Sequence, residues 1–140
     1  MNSSPTEDGK PSEIRRVLDA SALLALILKE NGGARVDEAL AEGAAICSVN
    51  LAEVITRLVD YGLTAVEIGA TLEGLQYQVI DFEDSHAWAA GFLREPTRAL
   101  GLSLGDRSCL ALAQTLGVPA LTADRAWAQL KVGVAIEICR

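Results

Sequence analysis

The sequence is poor in aromatic residues and in long apolar runs, and each shortage excludes a class of protein. Aromatic side chains make up 4 % of the 140 residues, so the core must consist mainly of Ala, Leu, Val and Ile. The longest strongly apolar run covers residues 22–28, whereas a membrane span needs about 20 residues. Residues 1–16 contain no apolar segment of the kind found in signal peptides. We therefore expect a cytoplasmic protein that does not bind membranes.

Cysteine and histidine are also scarce. The three cysteines are odd in number and widely spaced, without a Cys-x-x-Cys pair, and they are Cys47, Cys109 and Cys139. Aliphatic neighbours surround each of them, which favours reduced, buried thiols. A zinc site would also need histidine ligands, and His86 is the only histidine. We expect His86 to lie on the surface of a helix.

The overall composition and length are typical of one folded domain. Half of the residues are hydrophobic and 22 % are charged, which excludes a disordered chain. A chain of 140 residues suffices for one domain with a substantial core. Residues 1–13 are polar and contain two prolines and a glycine. They are expected to form a flexible leader that precedes a domain over 14–140.

Short apolar runs alternate with longer segments of helical periodicity along this domain. Strands are predicted over 16–19, 44–49, 77–82, 118–122 and 134–139. Helices are predicted over 21–30, 34–42, 51–61, 64–75, 84–94 and 103–116, with Asn50 as the N-cap of the third and a stop before Pro96 in the fifth. This alternation predicts an α/β fold with a mostly parallel sheet. Functional groups in such folds gather beyond the carboxyl ends of the strands.

Four acidic residues lie at such positions. Asp19 ends the first strand, Glu53 and Asp106 lie in the first turns of helices, and Asp124 follows the fourth strand. For each position alone, a helix cap is the better explanation, since the helix dipole favours acids there. Four converging carboxylates would repel one another without a cation. All-oxygen ligands favour Mg²⁺ or Mn²⁺, which can activate water for phosphodiester hydrolysis.

Three stretches resemble the PIN-domain nucleases, and most closely the VapC toxins of toxin–antitoxin pairs. They are LDASALLALI at 18–27, SVNLAEVITRL at 48–58 and LREPTRALGLSLGDRSCLALAQTLGVPALTADRAW at 93–127. The resemblance implies a three-layer α/β/α domain with a five-stranded, mostly parallel sheet. It also implies that an acidic quartet binds Mg²⁺ and cuts RNA, with transfer RNA and ribosomal RNA as plausible substrates.

All four acidic positions match the pattern of the family. It implies that Asp19, Asp106 and Asp124 hold the metal ion, which is Mg²⁺ with Mn²⁺ as an alternative. Glu53 would complete the site or position the attacking water. Two neighbouring hydroxyl groups would orient carboxylates or water, and they belong to Ser21 and Thr122.

The net charge of −7 and the sequence pI of about 4.6 argue at first against an RNA partner. The charge is uneven, however, since residues 1–84 carry 15 acids and 6 bases while residues 85–140 carry 4 acids and 6 bases. Arg107 and Arg125 directly follow proposed metal ligands and are the preferred candidates for RNA contacts. Arg94, Arg98 and Lys131 could also meet RNA phosphates, although Arg94 and Arg98 could equally form a solvated helix face. Trp88 and Trp127 could stack on bases, but packing within the protein is preferred.

The resemblance further implies a homodimer and a cognate VapB-like antitoxin whose tail lies in a groove between helices. Candidate groove residues, most of which we prefer as core, are Leu23, Leu26, Ile27, Val36 and Leu40.

Two other interpretations remain open at this stage. The chain could be a PIN nuclease that serves RNA processing outside toxin–antitoxin systems. It could also be a non-enzymatic interaction domain or a phosphoacceptor domain of the receiver type. A receiver domain needs paired acids after the first strand and a lysine after the last. A single Asp19 and the pair Asp124-Arg125 stand in those places.

Overall fold

Five short parallel strands form one sheet in the order β3-β2-β1-β4-β5. The computed structural model describes residues 13–140. The strands are β1 (Arg16–Leu18), β2 (Ala44–Cys47), β3 (Gln78–Ile80), β4 (Ala120–Thr122) and β5 (Ile136–Ile138). β1 lies at the centre, with Val17 and Leu18 paired to β2 on one side and to β4 on the other. The parallel α/β sheet predicted from the sequence is confirmed.

Seven α-helices lie in the described part of the chain: α1 (Ala20–Ile27), α2 (Gly33–Glu42), α3 (Ser48–Asp60), α4 (Ala65–Glu73), α5 (Asp84–Phe92), α6 (Arg94–Thr97) and α7 (Leu104–Leu116). Two 3₁₀ turns cover Arg98–Leu100 and Arg125–Gln129. Within residues 13–140, no helix is long and apolar enough to cross a membrane.

The helices cover both faces of the sheet. Leu18 packs in a cluster with side chains of α1 to α4, whereas its neighbour Val17 packs in a second cluster with α5 and α7. Successive strand residues point to opposite faces, so these clusters are the two sides of a three-layer α/β/α domain. The carboxyl ends of β1 and β4 lead directly into the segments that carry Asp19 and Asp124.

Each predicted strand and helix is present, with shifted ends, while the predictions for Asn50 and His86 are wrong. α3 begins at Ser48, so Asn50 lies in its first turn and is buried rather than serving as the N-cap. His86 is buried, because its Nδ1 accepts the backbone N–H of Glu83 at the start of α5. α5 ends before Pro96 as predicted, but the chain then continues into α6, where proline is tolerated in the first turn.

The buried thiols are confirmed, since all three cysteines are free and buried. The tryptophans differ from each other. Trp127 is fully buried in the core, as preferred, whereas Trp88 is 64 % exposed and stacks on the equally exposed Phe92. Packing of Trp88 into the protein was therefore the wrong expectation. The predicted leader over 1–13 lies outside the described residues except for Glu13.

Candidate active site

Asp19 is the buried centre of the candidate site. It follows β1 as the N-cap of α1, and one carboxylate oxygen accepts the backbone N–H of Ala22 at 2.8 Å. The hydroxyl of Thr122 donates to Oδ2 at 2.5 Å, and that of Ser21 lies 2.8 and 2.9 Å from the two oxygens. Only 4 % of Asp19 is exposed. Three donors thus hold this carboxylate in one orientation.

Both hydroxyl groups are themselves held by backbone amides that follow β4. The N–H of Ala123 donates to Oγ of Ser21, and the N–H of Asp124 donates to Oγ1 of Thr122, each at 3.0 Å. Each hydroxyl therefore accepts from the backbone while its own hydrogen is available for Asp19. The pairing of β1 with β4 brings these residues together across more than 100 positions of sequence.

Burial raises the pKa of Asp19 from 3.8 to about 6. Its three hydrogen-bond donors lower the pKa and the negative charge of Asp106 raises it, but desolvation of the carboxylate is the largest effect. A carboxylate that is costly to ionise in the absence of a counter-charge is well suited to a cation.

Glu53 reaches the same edge of the sheet from the first half of α3. The side-chain amide of Asn50 donates to Oε1 of Glu53 at 2.8 Å and to the carbonyl oxygen of Gly105 at 2.9 Å. A Cβ at position 105 would collide with the Glu53 carboxylate, so that carboxylate lies directly on the α7 backbone. Burial raises the pKa of Glu53, with the charge of Asp106 as a smaller contribution.

Sequence reasoning missed the functional importance of Asn50 and Gly105. Asn50 is 1 % exposed and joins α3 to α7, and its Oδ1 accepts no hydrogen bond from the described residues. An Asn three residues before an acid lies on the same face of a helix, which is the one signal that the sequence offered. The need for glycine at position 105 depends on contact with a residue 52 positions away, which periodicity cannot reveal.

Asp106 serves as a helix cap and also contributes its charge to the site. Its Oδ2 accepts the N–H of Ser103 at 3.0 Å, while its own N–H donates to the Ser103 hydroxyl at 3.1 Å. Its charge raises the pKa of both Asp19 and Glu53, which places Asp106 within electrostatic reach of each of them. The capping and site interpretations are therefore compatible.

Asp124 lies further out. Its Oδ1 accepts the N–H of Ala126 at 3.0 Å, and it is connected to Asp19 only through the Thr122 hydroxyl that receives its N–H. The residue is exposed. Asp106 is thus coupled electrostatically to Asp19 and to Glu53, and Asp124 is not part of this coupling.

The donor set fits a hard divalent cation in its chemistry. The acids offer carboxylate oxygens alone, as Mg²⁺ and Mn²⁺ prefer. Glu53 Oε2, Asp106 Oδ1 and Asp124 Oδ2 accept no hydrogen bond from residues 13–140. Across those residues, no three His, Cys, Asp or Glu side chains are already grouped closely enough to enclose an ion.

A cavity of about 750 Å³ opens beside the acids, between α1 and α3. Ser21 and Glu53 line it together with apolar side chains such as Leu24 and Val49. Two arginines that the sequence did not single out, Arg57 and Arg140, also line it.

The predicted RNA-binding arginines have internal contacts. Arg107 is half-buried and donates to the carbonyl of Ala90 at 2.9 Å, which joins α7 to α5. Arg125 is exposed and donates to the carbonyl of Arg140 at 3.1 Å. Among the candidate groove residues, Leu23, Val36 and Leu40 are buried in the core, as preferred, while Leu26 and Ile27 are partly buried.

The sequence profile described as PIN domain matches residues 16–133, most of the chain. The chain belongs to the PIN-domain family. PIN domains are nucleases, which agrees with an acidic cluster at the carboxyl edge of the sheet. No curated protein matches the sequence.

Solved structures share the fold of this PIN domain. A DNA-bound VapBC complex from Salmonella typhimurium has a chain with a TM-score of 0.69 at 16 % identity, covering 91 % of this chain and 100 % of that one. A chain of VapBC-5 from Mycobacterium tuberculosis has a TM-score of 0.62 at 25 % identity, and the match covers 91 % of this chain and 99 % of that one. A chain of a toxin–antitoxin complex from Klebsiella pneumoniae has a TM-score of 0.67 at 21 % identity, and the match covers 86 % of this chain and 95 % of that one.

Proposed function

We propose that the protein is a Mg²⁺-dependent endoribonuclease toxin of the VapC type, for which Mn²⁺ could substitute. It would hydrolyse phosphodiester bonds in transfer or ribosomal RNA, and a VapB-like antitoxin would inhibit it. The observation that carries this proposal is the buried Asp19 carboxylate, held by three donors within electrostatic reach of Asp106. Similarity to chains of VapBC complexes supports the toxin assignment.

In this proposal Asp19, Asp106 and Asp124 hold the ion, directly or through water. The ion would supply a polarised water and would stabilise the charge on the phosphate and the leaving oxygen. Ser21 and Thr122 fix the orientation of the Asp19 carboxylate, since both hydroxyls donate to it. Glu53 completes the site or positions the attacking water, and Asn50 holds its carboxylate in place.

The antitoxin would bind at the cavity between α1 and α3, where a peptide would cover Ser21 and Glu53. The partly buried Leu26 and Ile27 leave apolar surface on α1 for such contacts. A homodimer is part of the same proposal, and the exposed Trp88–Phe92 pair on α5 offers an apolar surface for it. Light scattering of the purified protein measures that oligomeric state.

An RNase assay with purified protein tests the catalytic proposal. Cleavage of total RNA should require Mg²⁺ and stop in EDTA. Asp19→Asn and Asp106→Asn should each abolish cleavage while the circular dichroism spectrum stays that of the wild type. Full Mg²⁺-dependent cleavage by Asp19→Asn would overturn the site assignment. Sequencing of RNA ends after controlled expression would identify the substrate, and growth arrest relieved by a co-expressed antitoxin would separate a toxin from an RNA-processing nuclease.

A further inference from the structure

Two arginines in the cavity beside Glu53 have no acidic partner. Arg57 lies one helical turn after Glu53 on α3, and Arg140 follows β5. Four other arginines form ion pairs within residues 13–140, namely Arg15, Arg16, Arg35 and Arg98. The two cations that line the acidic cavity are therefore not neutralised by the described part of the protein.

Arg57 is directed away from the nearest acid. A Glu and an Arg four residues apart on a helix are well placed to pair, yet Arg57 forms no ion pair with Glu53. Its guanidinium carbon lies 5.7 Å from the centre of the Tyr61 ring instead. None of its N–H groups donates a hydrogen bond to another described residue. The guanidinium is thus available to a ligand.

Arg140 is fixed on the segment that follows β4. Its Nε donates to the carbonyl of Ala123 at 3.3 Å, and its own carbonyl accepts from Nε of Arg125 at 3.1 Å. Ala123 stands between Thr122 and Asp124, and Arg140 lines the same cavity as Glu53 and Arg57. Its terminal nitrogens donate to no described residue.

We infer that this cavity receives the RNA strand, with Arg57 and Arg140 binding phosphates that flank the bond to be cut. The inference rests on the proposed nuclease function. Guanidinium groups match phosphate oxygens in geometry and charge, and the apolar side chains of Leu24 and Val49 suit a ribose or a base face. Two local cations also explain how a chain of net charge −7 can hold a polyanion.

Fluorescence anisotropy of a labelled, single-stranded RNA 20-mer of mixed sequence tests this inference. Binding is measured in EDTA over a series of NaCl concentrations, so that cleavage does not interfere. Arg57→Gln and Arg140→Gln should each weaken binding about tenfold at low salt. Each should also reduce the slope of log K against log [NaCl] by about 0.7, the value for one lost phosphate contact on a single strand.

Three further variants serve as controls. Arg15→Gln removes an exposed arginine that pairs with Glu13 and does not line the cavity, and it should leave the slope unchanged. Arg57→Lys keeps the charge and should restore the slope. Glu30→Gln removes an acid that lines the cavity, so it should strengthen binding. Thermal unfolding of each variant confirms that the fold is retained.

The outcomes separate this inference from the proposed function. Equal slopes for the wild type, Arg57→Gln and Arg140→Gln would overturn the phosphate contacts, even if the wild type cuts RNA with Mg²⁺. A wild type that does not bind the RNA 20-mer would overturn them as well. Altered slopes without any Mg²⁺-dependent cleavage would leave the phosphate contacts standing and remove the nuclease proposal.

Discussion

The carboxylate of Glu53 on α3 occupies the space in which a Cβ of residue 105 would lie, so Glu53 and Gly105 form one contact between α3 and α7. The colliding atoms belong to the end of a flexible side chain rather than to backbone. A larger residue at position 105 should therefore move Glu53 and leave the helices in place.

Gly105→Ala should reduce Mg²⁺-dependent RNA cleavage by about 10- to 100-fold, because it displaces the Glu53 carboxylate. The free energy of unfolding should stay equal or rise by up to about 1 kcal/mol, since Ala is the better helix former. Gly69→Ala on α4 is the matched control, because nothing lies within 4 Å of a Cβ there. Urea unfolding and initial cleavage rates measure the two effects. Unchanged cleavage by Gly105→Ala would show that the position of the Glu53 carboxylate does not matter for catalysis.

Asn50→Ala should lower both stability and activity. It removes the amide that contacts Glu53 and that joins α3 to the Gly105 carbonyl of α7. The loss of a buried hydrogen bond costs about 0.5–1.5 kcal/mol, which urea unfolding detects. Thr71→Ala on α4 is the control, because its hydroxyl donates only to the Glu67 carbonyl on the exposed side and the residue does not line the cavity. Equal effects of the two substitutions on cleavage would contradict a positioning role for Asn50.

Asn50 and Gly105 also mark the limit of what the sequence could predict. The alternation of strands and helices predicts a parallel sheet. Residues that follow parallel strands meet at one edge of the sheet, as Asp19 and Asp124 do. Contacts between helices depend on how α3 and α7 pack, and no local pattern encodes that packing. Asn50 was therefore taken for an N-cap.

Side-chain burial was the other quantity that local patterns predicted poorly. His86 has the polarity of a surface residue but folds back onto the Glu83 amide, which satisfies its ring nitrogen and allows burial. Trp88 has the hydrophobicity of a core residue yet stands in solvent, because α5 packs against α7 with its other face. The polarity of a side chain indicates whether burial is favourable, but its position on the helix decides whether it is buried.

Thr122→Val should weaken Mg²⁺ binding by about 10- to 100-fold, since it deletes the hydroxyl that donates to Asp19 while keeping the shape of the residue. Thr122→Ser keeps the hydroxyl and should bind Mg²⁺ within a few fold of the wild type. Isothermal titration with Mg²⁺ measures both affinities without reference to RNA. Equal affinities of the two variants would show that the Thr122 hydroxyl does not support the metal ligand.

The final prediction concerns stability against pH in the absence of metal. The pKa of Asp19 is about 6 in the folded chain and 3.8 when unperturbed, so between these values the folded state binds more protons than the unfolded state. The contribution of Asp19 to the free energy of unfolding is therefore fully present below about pH 4 and is lost as the pH rises through about 6. The total loss is about 3 kcal/mol.

Urea unfolding in EDTA should show this loss when the free energies of unfolding of the wild type and of Asp19→Asn are compared. Taking their difference cancels the titration of the other carboxyl groups. The variant should gain about 3 kcal/mol relative to the wild type between about pH 4 and pH 7. Mg²⁺ added at the higher pH should stabilise the wild type more than the variant, because the variant lacks one of the proposed carboxylate ligands. A difference that does not vary with pH would mean that Asp19 is ionised at its ordinary pKa, and that its burial does not favour a bound cation.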